Sequence, residues 1–246
     1  MECPFKIVEI EINTDCNLSC SYCPNHSMKR VEEGSINQEL LLKIITQLQE
    51  MEFSGTISPS FYNEPLLNNK LSEIVKFIRF KLPKSSLILY TNALLLNQDK
   101  FMELSTTGVS RFVITKHENI KKIPLDKFFN NLSDKEKEKI KYQSFHEINL
   151  TNRGGLIESI DNQVKPLTPC QIPQFQITIT KEGKVLPCFE DYEQKLEMGD
   201  LKKDSLLEIW NSTKYKEFRL NLKRGLRHKY SPCENCSRVE ALAPAI

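Results

Sequence analysis

The chain predicts a parallel α/β fold: a partial (β/α)6 barrel, open on one side, followed by a small C-terminal unit of one β-hairpin and a helix. Short runs rich in β-formers alternate with amphipathic stretches from about residue 6 to residue 151. The cysteines fall mainly into two sets, one near the start and one from residue 170 onward. Between them, residues 161–169 lose periodicity and contain Pro166 and Pro169. That shift places a boundary between a barrel at 1–165 and an appended domain at 166–246.

Each element has a local reason. Residues 6–13 alternate apolar and polar and form the first strand. Residues 37–51 put Leu41, Ile44, Ile45 and Leu48 at helical spacing, with Asn37 as the cap. Residues 55–62 form a second strand running into Asn63-Glu64-Pro65. Helices at 70–81 and 97–106 then alternate with strands at 86–90 and 111–115. A lysine-rich helix near 133–141 precedes a strand at 145–151. The strands end in Thr91-Asn92, Lys116-His117 and Asn152-Arg153-Gly154-Gly155. Repeated βα units with short connections wind right-handedly into a parallel sheet. Five strands are clear and a sixth is expected, fewer than the eight of a closed barrel. Beyond the boundary come a strand at 174–180, Gly183 at a tight turn, and a helix at about 204–224 carrying Trp210.

Composition excludes several classes. The 246 residues are 27% charged and 39% hydrophobic, as in ordinary soluble proteins. Net charge is +2 with Lys and Arg scattered, so no nucleic-acid footprint is visible. The run Lys135-Glu136-Lys137-Glu138-Lys139 alternates in sign and reads as a solvated face. No stretch reaches the roughly 20 apolar residues of a membrane span. Met1-Glu2-Cys3-Pro4 has no basic region leading into an apolar run, so a cytoplasmic location is expected. Eight cysteines in such a chain read as metal-binding thiolates rather than disulfides.

Cys16, Cys20 and Cys23, spaced C-x3-C-x2-C after the first strand, can hold three irons of a four-iron cubane and leave the fourth open to a small molecule. His26 offers the alternative of a tetrahedral zinc site, although zinc motifs usually arrive as two separated pairs. Cys170, Cys188, Cys233 and Cys236 supply four thiolates. They can ligate a second cubane completely, or form a four-cysteine zinc ribbon. A hairpin turning at Gly183 would bring Cys170 and Cys188 together.

The first motif, with Tyr22 immediately before Cys23, resembles the signature of the radical S-adenosylmethionine (SAM) superfamily. The pattern Cys170-x12-Gly183-x4-Cys188, the pair Cys233-x2-Cys236 and the stretch Gly199-Asp-Leu…Ser205-Leu-Leu-Glu-Ile-Trp-Asn211 resemble its shortened extension with one auxiliary cluster. Nearly the whole length is similar to the superfamily's aminocyclitol dehydrogenases of aminoglycoside antibiotic biosynthesis, notably at Tyr90-Thr-Asn92, Asn152-Arg-Gly-Gly155 and Pro187-Cys-Phe-Glu-Asp191.

The resemblance implies SAM and two [4Fe-4S] clusters, held by Cys16, Cys20 and Cys23 and by Cys170, Cys188, Cys233 and Cys236. It implies oxidation of a secondary alcohol of a 2-deoxy-scyllo-inosamine-like polyol to a ketone through a deoxyadenosyl radical, the auxiliary cluster accepting the second electron. Tyr62-Asn-Glu-Pro65 resembles the family's Gly-Gly-Glu motif, departing at Asn63, and Glu64 would bind the SAM ammonium. Tyr22 would pack on the adenine, and Thr91 and Asn92 would reach the ribose or carboxylate. Arg153 would lie at the substrate; being always protonated, it suits positioning and charge stabilisation. Phe189, Glu190 and Tyr62 would line the substrate pocket, with His117 a candidate for polar contact or proton transfer. A small polyol substrate and an external one-electron reductant of flavodoxin or ferredoxin type are the implied partners, with neither nucleic acid nor membrane. One alternative is a peptide-modifying member or an epimerase. The first kind usually carries a peptide-binding segment before the barrel. The second needs a free thiol, and Cys3 precedes the first strand, at the end opposite the cluster loop. A second alternative is a non-catalytic structural zinc protein.

Overall fold

In the computed structural model, which describes residues 3–28, 33–118, 120–160 and 168–238, helices and strands alternate as the sequence predicts. In chain order they are β1 (Ile7–Ile10), α1 (Gln38–Glu50), β2 (Thr56–Ser58), α2 (Leu71–Lys81), β3 (Ser86–Thr91), α3 (Gln98–Thr107), β4 (Arg111–Lys116), the short α4 (Leu125–Phe128) and α5 (Asp134–Lys137), and β5 (Ile140–Ser144). Then follow β6 (Gln176–Ile179), β7 (Lys184–Leu186), β8 (Gly199–Asp200), α6 (Leu206–Asn211) and α7 (Thr213–Lys223).

The strands form one sheet in the order β5-β4-β3-β2-β1-β6-β7-β8. The first six are parallel, and β7 and β8 continue antiparallel. This is the partial six-stranded parallel barrel. Its sixth strand is the one at 174–180, which pairs with β1 from Ile7↔Gln176 to Ile10↔Ile179. The sheet therefore runs without a break from barrel strand to cysteine-bearing hairpin. The expected boundary falls largely on residues 161–167, outside the described residues.

Alternation along β1 sets the two faces. Val8, Ile10 and Ile12 are fully buried with Leu41, Ile44, Ile45 and Leu48 of α1 and Val75 and Ile78 of α2 in one core. Each such side chain contributes about 1.5–3 kcal/mol of burial. Glu9 points the other way, into the lumen, and accepts from Thr178 Oγ1 at 2.7 Å and Gln176 Nε2 at 2.9 Å. Asn37 caps α1 as expected, its side chain accepting from the Glu39 amide at 2.7 Å.

Several elements differ from the sequence reading. The strand expected at 145–151 lies instead at Ile140–Ser144, pairing with β4 from Phe112↔Ile140 to Lys116↔Ser144. The lysine-rich helix is one turn, α5, because Ile140 and Tyr142 fit the pleated edge that β4 offers. Ser144 and Glu147 then make a capping box that ends the strand in a 3₁₀ turn. The helix expected at 204–224 is broken at Ser212, whose extended backbone (ψ 149°) ends α6 and whose hydroxyl caps α7 through the Tyr215 amide. The first strand spans four residues rather than eight.

Candidate active site

The loops at the carboxyl ends of β1 to β4 meet around the first cysteine set, as expected for chemistry at that end of parallel strands. Glu64 ties them together. Its buried carboxylate accepts from the Leu66 amide at 3.1 Å, from Thr91 Oγ1 at 2.7 Å and from the Asn92 amide at 2.8 Å. Burial pushes this carboxyl up, and the three donors oppose that. Asn92 in turn donates to Asn17 Oδ1 at 2.7 Å, fixing the cysteine loop to the end of β3. Ser21 grips Glu118 through its amide (2.7 Å) and hydroxyl (2.6 Å). Tyr22 stacks on Phe145 at 4.9 Å, and its hydroxyl pairs with His117 Nδ1. His117, whose basicity burial lowers, is thus a neighbour of the cysteine loop.

The second set assembles at the hairpin. Cys170 precedes β6 and Cys188 follows β7, so both lie at one end of the hairpin, whose turn places Gly183 at φ +93°. With Cys233 and Cys236 they line one cavity whose other walls include Ile172, Phe218 and Leu222. No described cysteine is in a disulfide. Burial pushes the Cys236 thiol up to about 11 and raises Cys170, Cys188 and Cys233 as well. Such thiols ionise when a cationic centre compensates the burial. Four thiols lining one chamber supply the ligand set of an iron–sulfur cubane.

Between the two sets lies a polar patch. Arg153 stands at φ +51°, ahead of Gly154 and Gly155 at φ +66° and +92°. Its guanidinium lies 5.8 Å from the Tyr62 ring, 5.9 Å from the Phe189 ring and, through Nη1, 3.8 Å from Glu190 Oε1. Burial works against its charge, but Tyr62 and Glu190 hold its basicity above the ordinary value. Glu190 Oε1 also accepts from Thr151 Oγ1 at 2.8 Å and lies 3.2 Å from Arg238 Nε. Tyr62 Oη, Arg153 Nε and Glu190 Oε2 are buried without a hydrogen-bond partner among the described residues. The adjoining turn docks on the last ligand segment: Asn152 Nδ2 donates to Asn235 O at 2.6 Å, and Asn152 Oδ1 accepts from the Ser237 amide at 2.9 Å.

Residues 10–117 match the radical SAM superfamily, and residues 170–237 match the SPASM iron–sulfur cluster-binding domain. The S-adenosyl-L-methionine-dependent 2-deoxy-scyllo-inosamine dehydrogenase of Niallia circulans is 36% identical over 238 residues, covering 96% of this chain and 94% of that protein. The chain belongs to the radical SAM superfamily. It is a radical SAM oxidoreductase that uses SAM and two iron–sulfur clusters. The crystal structure of BtrN in complex with AdoMet and 2-DOIA superposes with a TM-score of 0.92 at 34% identity, over 99% of this chain and 97% of that one. Streptococcus suis SuiB bound to the precursor peptide SuiA gives 0.53 at 13% identity, over 99% of this chain and 77% of that one, a likeness of fold alone.

In this radical SAM chain the site residues read from sequence fall into two groups. Tyr22, Glu64, Thr91, Asn92 and His117 gather at the first cysteine loop, whereas Tyr62, Arg153, Phe189 and Glu190 gather between the loops. Asn17, Glu118, Thr151, Arg238 and Glu9 belong to these networks and were not singled out by sequence. Only Arg238 carried a signal, its position two residues after Cys236. Among the described residues no helix is long and apolar enough to cross a membrane.

Proposed function

We propose that this enzyme oxidises a secondary alcohol of an aminocyclitol such as 2-deoxy-scyllo-inosamine to the ketone. The observation that supports the substrate class is the group of buried, unpartnered polar atoms: Tyr62 Oη, Arg153 Nε and Glu190 Oε2. Buried donors and acceptors left unpaired cost about 1–3 kcal/mol each, and a ring bearing hydroxyls and an amine meets both kinds. Similarity to the Niallia dehydrogenase supports the same class. When bound, SAM and the two clusters supply radical hydrogen-atom abstraction and a one-electron acceptor.

The chain's own residues do the rest in this reading. Cys16, Cys20 and Cys23 hold the first cluster, and Cys170, Cys188, Cys233 and Cys236 the second. Glu64, Thr91 and Asn92 shape the SAM-binding loops, and Tyr22, braced by His117 and Phe145, forms a wall beside them. Arg153 holds the substrate oxygen and Glu190 its amine, while Phe189 excludes water. The proton of the oxidised hydroxyl leaves through this polar patch. Cys3 packs in the core before β1, away from the patch, which suits dehydrogenation better than epimerisation. An external flavodoxin- or ferredoxin-type protein delivers the first electron on the exposed Cys16 side, in the cytoplasm.

The test is anaerobic incubation of the reconstituted, reduced enzyme with SAM and 2-deoxy-scyllo-inosamine, read by mass spectrometry. We expect 5′-deoxyadenosine and a ketone two mass units lighter than the substrate in equal amounts. Arg153→Ala should still form deoxyadenosine while ketone formation falls ~100-fold or more, since removing one partner of a buried charge pair costs about 3–5 kcal/mol. Deoxyadenosine without ketone from the wild-type enzyme overturns the aminocyclitol assignment.

A further inference from the structure

The chamber of the second cysteine set holds two guanidiniums, Arg227 and Arg238. They differ in how their charge is met. Arg238 sits 3.2 Å from Glu190 and stacks on Phe189 at 4.4 Å. Arg227 is 2% exposed, and its fork ends on three carbonyls. Nε donates to Thr168 O at 2.8 Å, Nη1 to Cys236 O at 3.2 Å and Nη2 to Arg238 O at 2.6 Å. Among the described residues no carboxylate pairs with it. A buried cation with no anionic partner is costly, so its presence calls for a countercharge nearby.

The other charged groups of the chamber are committed elsewhere. Glu190 is shared by Thr151, Arg153 and Arg238. Asp191 accepts from the Lys195 and Leu196 amides at 2.9 and 2.7 Å. What remains facing Arg227 is the cysteine set itself. The three carbonyls are informative too: Thr168 lies two residues before Cys170, Cys236 is a ligand, and Arg238 lies two residues beyond it. One side chain thus pins two of the three ligand-bearing segments, those of Cys170 and Cys236.

We propose that Arg227 is the built-in countercharge of the auxiliary cluster, raising its reduction potential while its fork fixes the segments that bear Cys170 and Cys236. The inference rests on the two-cluster reading above. A four-thiolate cluster becomes one unit more negative on taking one electron, and a fixed buried cation stabilises that more negative state. The electron comes from the substrate-derived carbon radical as its hydroxyl proton is released, so one electron and one proton leave the substrate for each cluster reduced. Arg227 is therefore a positioning residue, acting through the cluster.

The experiment is an EPR-monitored potentiometric titration of the reconstituted full-length holoenzyme, preceded by iron and sulfide analysis. Arg227→Gln should lower the auxiliary potential by at least a tenfold change in the one-electron equilibrium, about 59 mV. Arg227→Lys, which keeps the charge and loses the fork, should shift it by less than half as much. If the Gln variant does not hold the cluster, its retention by the Lys variant supports the same assignment. An unchanged potential in Arg227→Gln, equal shifts in both variants, or cluster loss in both overturns it. Iron for only one cluster in the wild-type enzyme would instead overturn the two-cluster reading.

Discussion

Glu9 stands half-buried on the lumen face of β1, with Thr178 and Gln176 donating to it and Arg238 and Glu190 within reach of its charge. Desolvation pushes its carboxyl up to about 7, against the opposing pull of Thr178, Arg238 and Gln176. The folded state therefore binds this proton more tightly than the unfolded chain does. Stability is fully present below the unfolded carboxyl value near 4.5 and is lost as pH rises towards 7. Glu9→Gln keeps the geometry and removes that cost. Thermal melts should show the variant more stable than wild type at pH 8, by ~1–3 kcal/mol, with the gain shrinking steadily below pH 7. A gain independent of pH would exclude this cause. Glu64 is the contrasting carboxylate. It is also buried, but three donors converge on it, so it holds loops together where Glu9 tunes the lumen.

At the level of elements, the turn at 152–155 is the joint between barrel and ligand loop. Its backbone must approach closely: a Cβ at Gly154 would lie 2.6 Å from Pro232 Cβ, and one at Gly155 2.7 Å from Asn235 Cβ. Both glycines also sit at positive φ. Gly154→Ala should cost ~1–2 kcal/mol from backbone conformation alone and push the segment bearing Cys233 and Cys236 outward. We expect Tm to fall by about 2–8 °C and iron content to drop towards that of one cluster. Full iron with an unchanged Tm would show that the turn is not a joint.

For the molecule as a whole, β6 closes against β1 in the register Ile7↔Gln176 to Ile10↔Ile179, and the core includes Leu41 and Phe5 together with Ile177, Trp210 and Phe218. A chain cut after residue 165 would expose the β1 edge and the side chains that α6 and α7 cover. We expect such a fragment to lack near-UV circular dichroism and to aggregate, and the full chain to melt in one transition. A monomeric, cooperatively folding fragment would show two independent units.

The order of strands and helices, the cap at Asn37, the Gly183 turn and the seven grouped cysteines were legible in the sequence, because periodicity, capping and thiol spacing act over a few residues. The strand at 140–144 was not, because its β character comes from the edge of β4 rather than from its own lysine-rich run. Glu9 was not either: an acidic residue in an alternating strand reads as solvent-facing until sheet curvature puts it in the lumen. The convergence of Tyr62, Arg153 and Glu190, and the unpaired charge of Arg227, were decided only by the tertiary structure. Those contacts join residues far apart in the chain, and burial and pairing exist only once the sheet has brought them together.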